Sequence, residues 1–129
     1  MTITIEKYNQ ATEVLAKNDW ASTDNAYYVQ FLSADYTFSA TQTAFSSVDS
    51  YLIGDPVLLT GRSISDAGIF TAAILQASAA ATAVQSMVVY LQNAETQSPF
   101  DQLIFLASFD EPTDLATSDE IDFGIILTL

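Results

Sequence analysis

From Gly68 to Gln92 the chain runs GIFTAAILQASAAATAVQSMVVYLQ, 25 residues without a single charged side chain. Such a stretch has three physical outcomes: a membrane-spanning helix, an alanine-rich helix in water, or strands joined by an uncharged loop. A spanning helix needs about 20 predominantly apolar residues. Here Thr71, Gln76, Ser78, Thr82, Gln85, Ser86 and Gln92 interrupt the run. All three basic residues precede it and no aromatic belt flanks it, which weighs against a span. Five alanines between Ala77 and Ala83 favour a helix by propensity. The flanks point the other way: Met87–Leu91 reads MVVYL, and Gly68–Phe70 also opens like a strand. Periodicity does not separate helix from strand over apolar runs this short.

The rest of the chain narrows the setting. Its 129 residues fit one domain, residues 1–129, large enough to bury roughly two-thirds of its unfolded surface without a disulfide or structural metal. Cysteine and histidine are both absent, which removes thiol chemistry, the commonest general base and the commonest transition-metal ligand. Sixteen acids face only Lys7, Lys17 and Arg62, for a net charge of −13. A surface of that sign repels nucleic acid and anionic lipid. Yet half the residues are apolar and the mean hydropathy is +0.26, a globular signature with more apolar surface than one small core needs. That excess predicts a homo-oligomer or a docked subunit. The opening MTITIEKYNQ has no basic segment followed by an apolar one, so export by a signal peptide is not expected.

Along the chain, TITI at Thr2–Ile5 alternates as a short strand. Lys7–Asn18 carries Tyr8, Ala11, Val14, Leu15 and Asn18 at helical spacing. Tyr27–Leu32 is an aromatic, β-branched strand. Phe45, Val48 and Leu52 suggest a short helix within Gln42–Ile53, stopped by Gly54-Asp55-Pro56. Val57–Ser63 and Leu103–Phe109 read as strands, Ser65–Gly68 as a turn, Asp110–Glu120 as an acidic connection, and Ile121–Leu129 as a final strand.

Site-like features are few. The acids Asp110, Glu111, Asp114, Asp119, Glu120 and Asp122 are of the right type for Ca²⁺, but the loop pattern and its glycine are missing, and a solvated acidic loop accounts for them. Asp101 and Asp110 flank a strand, as surface acids do in any β protein, and do not by themselves make a glycosidase pair. A Ser–Lys dyad would have to recruit Lys7 or Lys17 from a helix surface. No catalytic, cofactor-binding or metal-ligating residue is expected. The aromatics read as core and interface, with a carbohydrate platform built on an exposed Trp20 as the alternative. Arg62, the single arginine, is expected to be structural and to have an acid partner.

Several segments, in order, resemble a family of small structural proteins of tailed bacteriophages. They are KYNQATEVLAKNDWASTDNAYYVQFLSADYTFS, then AFSSVDSYLI, then LLTGRSISDAGIFTAAILQAS and MVVYLQNAETQSPFDQLIFLASFD. The last two are similar to the family's two central hairpin blocks, so the resemblance favours two strands for Gly68–Gln92. Where the family has a short polar loop this chain has SAAATA, and its ending, DEPTDLATSDE then IDFGIILTL, departs from the family's Gly/Pro-rich loop and Trp-bearing strand. The resemblance implies a mainly β fold (α+β at most): an antiparallel β-sandwich with one or two short helices in the N-terminal half. It implies a non-enzymatic virion role, most simply a head decoration (cement) protein acting as a trimer on the major capsid protein, at the outer face of the head. A tail-tube or neck subunit and a virion-surface carbohydrate-binding module are the alternatives. The expected interface residues are Thr2, Ile3, Thr4 and Ile5 at one end. Ser78, Ala79, Ala80, Ala81 and Thr82 form a second candidate at a small-residue tip, and Ile125, Ile126 and Leu127 a third in the last strand, for which completing the sandwich is the favoured reading.

Overall fold

The computed structural model of the chain describes residues 3–17, 20–21, 26–77, 80–92, 102–117, 119–124 and 126–128. It is mainly β, as the sequence predicts. The element order is β1 (Ile3–Lys7), α1 (Ala11–Lys17), β2 (Ala26–Ser33), β3 (Leu52–Leu58), β4 (Ser63–Ile64), β5 (Ile69–Thr71), β6 (Leu75–Gln76), β7 (Ala81–Gln92), β8 (Gln102–Leu115), β9 (Glu120–Ile121) and β10 (Leu127–Thr128). The main sheet is antiparallel throughout, in the order β1-β8-β7-β2-β3. Two small sheets, β10-β5-β4 and β6-β9, complete the sandwich.

The charge-free stretch resolves into three strand segments, β5, β6 and the long β7. Met87 to Leu91 are buried without a break because both faces of the sheet are covered, and a doubly covered strand shows no polar alternation. On one face, Tyr27, Val29 and Phe31 of β2, Met87 and Val89 of β7, and Phe105 and Ala107 of β8 pack against Val14 and Leu15 of α1, against Phe70, Leu75 and Ile121 from the small sheets, and against Phe123 just after β9. On the other, Leu32, Val88, Tyr90, Leu103 and Leu106 are covered by Tyr8, Tyr36, Phe45 and Val48. Ile104 and Phe105 are neighbours yet both join the first cluster. The register slips by one residue there, with Val89 opposite Phe105 and Tyr90 opposite Leu103, so Ile104 is the extra residue of a bulge.

Two larger bulges are each bridged by a glutamine from the neighbouring strand. Val29 pairs with Val57 and Phe31 with Ile53, so Gly54, Asp55 and Pro56 stand opposite Gln30 alone. Gln30 is 2% exposed, and its Nε2 donates to the Gly54 carbonyl at 2.6 Å. Likewise Ser86 pairs with Ser108 and Val84 with Thr113, leaving Gln85 opposite residues 109–112, and its Nε2 donates to the Phe109 carbonyl at 2.6 Å. In both places a side-chain amide satisfies a carbonyl that the ladder has lost.

These bulges correct the sequence reading. Gly54-Asp55-Pro56 does not end an element: it lies inside β3, with Gly54 at φ +70°. Asp110 to Leu115 is not a connection but the continuation of β8, with Pro112 at the bulge, where no ladder N–H is needed. The expected helix at Gln42–Ile53 is two separate 3₁₀ turns, Phe45–Ser47 and Asp49–Tyr51, and Leu52 already belongs to β3. The serines around Phe45 and Tyr51 have poor helix propensity, and a single short turn is all they sustain. The first helix starts at Ala11 rather than Lys7, because Lys7 pairs with Phe105 and the Tyr8 N–H bonds to the Ile104 carbonyl. Asn18, its expected end, lies outside the described residues. The strand expected over Val57–Ser63 divides at Gly61, which has φ +60°. The last strand divides into β9 and β10 around Gly124, at φ +65°, where the Asp122 carboxylate accepts the Gly124 N–H.

The loop over the second face is held by a directed chain of hydroxyls. The Tyr36 hydroxyl donates to Gln42 Oε1, so the Tyr8 hydroxyl donates to Tyr36, at 2.7 Å. Burial, and then the hydrogen bond it donates, push the Tyr8 phenol well above its ordinary range. Burial raises Tyr36 too, partly offset by the hydrogen bond accepted from Tyr8.

Two outcomes are expected. Gln30→Ala strands the Gly54 carbonyl in a buried bulge and costs about 1–3 kcal/mol in urea unfolding, with the denaturant slope unchanged. The second concerns pH. The unfolded chain releases phenolic protons near pH ~10 while folded Tyr8 keeps its own, so its contribution is fully present below about pH 10 and lost above it. Unfolding followed against pH should show stability falling there by up to about 1.4 kcal/mol per pH unit for each retained proton. Tyr8→Phe lowers neutral stability by about 1 kcal/mol and lessens that alkaline slope.

Candidate docking surface

Trp20, Tyr27, Phe70 and Arg62 form a structural knot. Trp20 is fully buried and its Nε1 donates to the Thr71 carbonyl at 3.0 Å. Its ring meets Tyr27 edge-on at 4.9 Å and Phe70 at 6.0 Å. Arg62 lies over the Tyr27 ring at 4.6 Å and donates from Nη1 to the Trp20 carbonyl at 2.7 Å. A guanidinium gains both contacts at once, the ring face and the carbonyl, because it is planar and forked. Arg62 is thus structural, as expected, with aromatic rings and a carbonyl around it. The alternative of a carbohydrate platform on Trp20 falls: a fully buried indole offers no platform to a sugar.

The acids near the chain's end also serve the backbone. Asp114 Oδ1 accepts the Ala83 N–H at 2.8 Å, beside the bulge where Thr82 and Ala83 stand opposite Asp114 and Ala83 takes φ +56°. Asp119 Oδ2 accepts the Ala116 N–H at 2.7 Å. With Asp122 on Gly124, three of the six candidate cation ligands are turn caps. Among the described residues no group of three or more acids is placed to hold a metal ion. Asp101, half of the weighed carboxylate pair, lies outside the described residues. Lys7 is exposed on β1, and Lys17 ends α1.

The expected interface residues divide. Ile3 and Ile5 are half-buried on β1 and pack against the first core, while Thr4 is exposed. Ala80 and Thr82 are exposed, but Ala81 is buried and pairs with Leu115. Ile126 is buried, and Leu127 pairs with Phe70, so the last strand completes the sandwich. Thr2, Ser78, Ala79 and Ile125 lie outside the described residues.

Exposed apolar surface gathers elsewhere. Leu52, Leu58, Ile64 and Ile74 are the large aliphatic residues left in water among the described residues, and all fall within one stretch of the chain. Two clefts meet along Leu58–Thr60. One, about 360 Å³, runs past Ala26, Tyr28, Gly61 and Arg62. The other, about 200 Å³, lies between Val57–Thr60 and Ala73–Gln76. Their walls are pinched together where the Ala73 N–H bonds to the Thr60 carbonyl at 3.0 Å. Gly61 makes that approach possible: a Cβ there would stand 2.6 Å from the Ala73 Cβ, and its φ of +60° disfavours any side chain. Sequence pattern could not place this surface. In VLLT two leucines are adjacent and so face opposite sides of the strand, but nothing in the letters says whether either side is left uncovered.

No protein-family model matches the chain, and no curated protein or solved structure matches it either.

Gly61→Ala is expected to lower stability by about 1–3 kcal/mol, from left-handed strain and the push against Ala73, read as a fall in the thermal midpoint.

Proposed function

We propose that this chain is a non-enzymatic structural protein of a tailed-bacteriophage virion: a decoration (cement) protein that binds the outer face of the head shell as a trimer and stabilises it. The resemblance of its ordered segments to that family supplies the setting. The observation that supports attachment is that Leu52, Leu58, Ile64 and Ile74, all between residues 52 and 74, stay exposed while the two faces of the main sheet are already covered. Apolar side chains left in water next to a finished core suit a contact with another protein. A net charge of −13 suits a position away from packaged DNA, since a protein in contact with DNA is expected to be basic.

A trimer multiplies modest contacts. Once one subunit of it is bound, the other two act at high effective concentration, so no single contact has to be strong. The major capsid protein is the partner. The β1 edge, with Ile3, Thr4 and Ile5, supplies strand pairing with an edge of the shell protein.

Purified heads that lack the protein provide the test. Added recombinant chain should co-sediment with them in hundreds of copies per head, appear as outer-surface density in electron micrographs, and raise the temperature at which heads rupture. Sedimentation should give a trimer. Absence of density on tailless heads, or hexameric rings in solution, overturns the reading.

A further inference from the structure

The main sheet ends at β1 with one side of that strand open. Among the described residues β1 pairs with β8 alone, in an unbroken register from Ile3 opposite Phe109 to Lys7 opposite Phe105. The next N–H along, that of Tyr8, donates to the Ile104 carbonyl at 3.1 Å. Main-chain groups in an antiparallel pair alternate, residue by residue, between the partner strand and the opposite side. Since Tyr8 bonds inward and the register does not slip, Glu6 and Thr4 bond inward as well. The N–H and C=O groups of Ile3, Ile5 and Lys7 therefore point away from β8, at the border of the sheet.

The side chains obey their own alternation. Ile3 and Ile5 share the first face, half-buried against its core, while Thr4 and Glu6 share the second and are exposed. A strand laid beside β1 would cover what remains open of Ile3 and Ile5, and would leave its side chains next to Thr4 and Glu6 in water. The border thus fits an extended segment with apolar residues at alternate positions and polar residues between them.

A second copy of this chain does not supply that segment within a trimer. Pairing β1 with β1 relates two copies by a twofold axis and closes at two. Pairing β1 with the far border would run head to tail, but there β3 has Gly54 at φ +70° and a Pro56 with no N–H to give. A strand from a different chain remains.

We propose that a strand of the shell protein joins the main sheet beside β1, held by the outward main-chain groups of Ile3, Ile5 and Lys7 and carrying apolar side chains on the Ile3–Ile5 side. The proposal rests on the virion reading above for its partner, and goes beyond it in assigning the groups that bind and the pattern they accept.

Amide hydrogen exchange tests the geometry. In the free protein the Ile5 and Lys7 amides should exchange at least about tenfold faster than that of Glu6, which β8 protects. On heads, the Ile5 and Lys7 amides should slow by at least about tenfold. Binding tests the consequence. Lys7→Pro removes an outward N–H, and an edge strand accepts proline, so the thermal midpoint of the free chain should hold while binding to heads weakens at least about tenfold. Lys7→Ala keeps the N–H and should weaken binding far less. Protected Ile5 and Lys7 amides in the free chain, or wild-type binding that leaves them unslowed, overturns the proposal and leaves the virion role standing. Equal binding of Lys7→Pro and wild type does the same, as does a loss from Lys7→Ala as large as that from Lys7→Pro, which assigns the contact to the ammonium group. Should Lys7→Pro fail to fold, exchange of the wild-type amides decides on its own. Failure of the wild-type chain to bind heads at all overturns the virion role, and this partner with it.

Discussion

The pairing of β7 with β8 is the constraint on which the rest depends. These are the longest strands, 12 and 14 residues, and they lie side by side within the sheet, with other strands outside them. Each supplies side chains to both cores, so neither face could assemble without them. The first face is closed by a helix and two small sheets, the second by a loop with two 3₁₀ turns. The covers differ, but both are templated by the same pair of strands. The irregularities follow from this. A long strand pair flanked by shorter partners must shed register somewhere, and it does so at bulges, where Gln85 in β7 restores a lost hydrogen bond as Gln30 does in β2.

Most strands were legible in the sequence because β-branched and aromatic runs such as YYVQFL, MVVYL and LIFLASF have few alternatives once both faces are covered. What was not legible was where an element ends. Gly54-Asp55-Pro56 and Pro112 carry the local chemistry of a break, yet both lie inside strands, since a neighbouring strand's side chain satisfies what the bulge leaves open. The reverse held at IDFGIILTL, where one continuous apolar run conceals a turn at Gly124. In each case a partner distant in sequence decided the outcome. The docking surface was hidden for the same reason: Leu58 and Ile74 look like core residues by type, and only tertiary placement leaves them outside. Burial of Ala81 is the mirror image, a residue offered as interface that the fold takes inside.

Three of the chain's 16 acids are shown anchored to the backbone nearby. Asp114, Asp119 and Asp122 each accept a backbone N–H at a bulge or turn. Repulsion among the acids is spread over the periphery, while the interior polar groups, Gln30 and the tyrosine pair, are neutral and hydrogen-bonded. Charge and hydrophobicity are thus separated in space more cleanly than the composition suggests.

The bulge in β3 has one more consequence. The main sheet has two outer strands, and they are not equivalent. β1 keeps an unbroken register with β8 over five residues and contains neither glycine nor proline. β3, at the opposite border, carries a left-handed glycine followed by a proline that has no N–H to offer, so the regular spacing an incoming strand must match is missing there. Growth of the sheet by addition of further chains is therefore one-ended. Strand addition at β1 occupies the one regular border of the sheet, so growth stops there instead of propagating into a fibre.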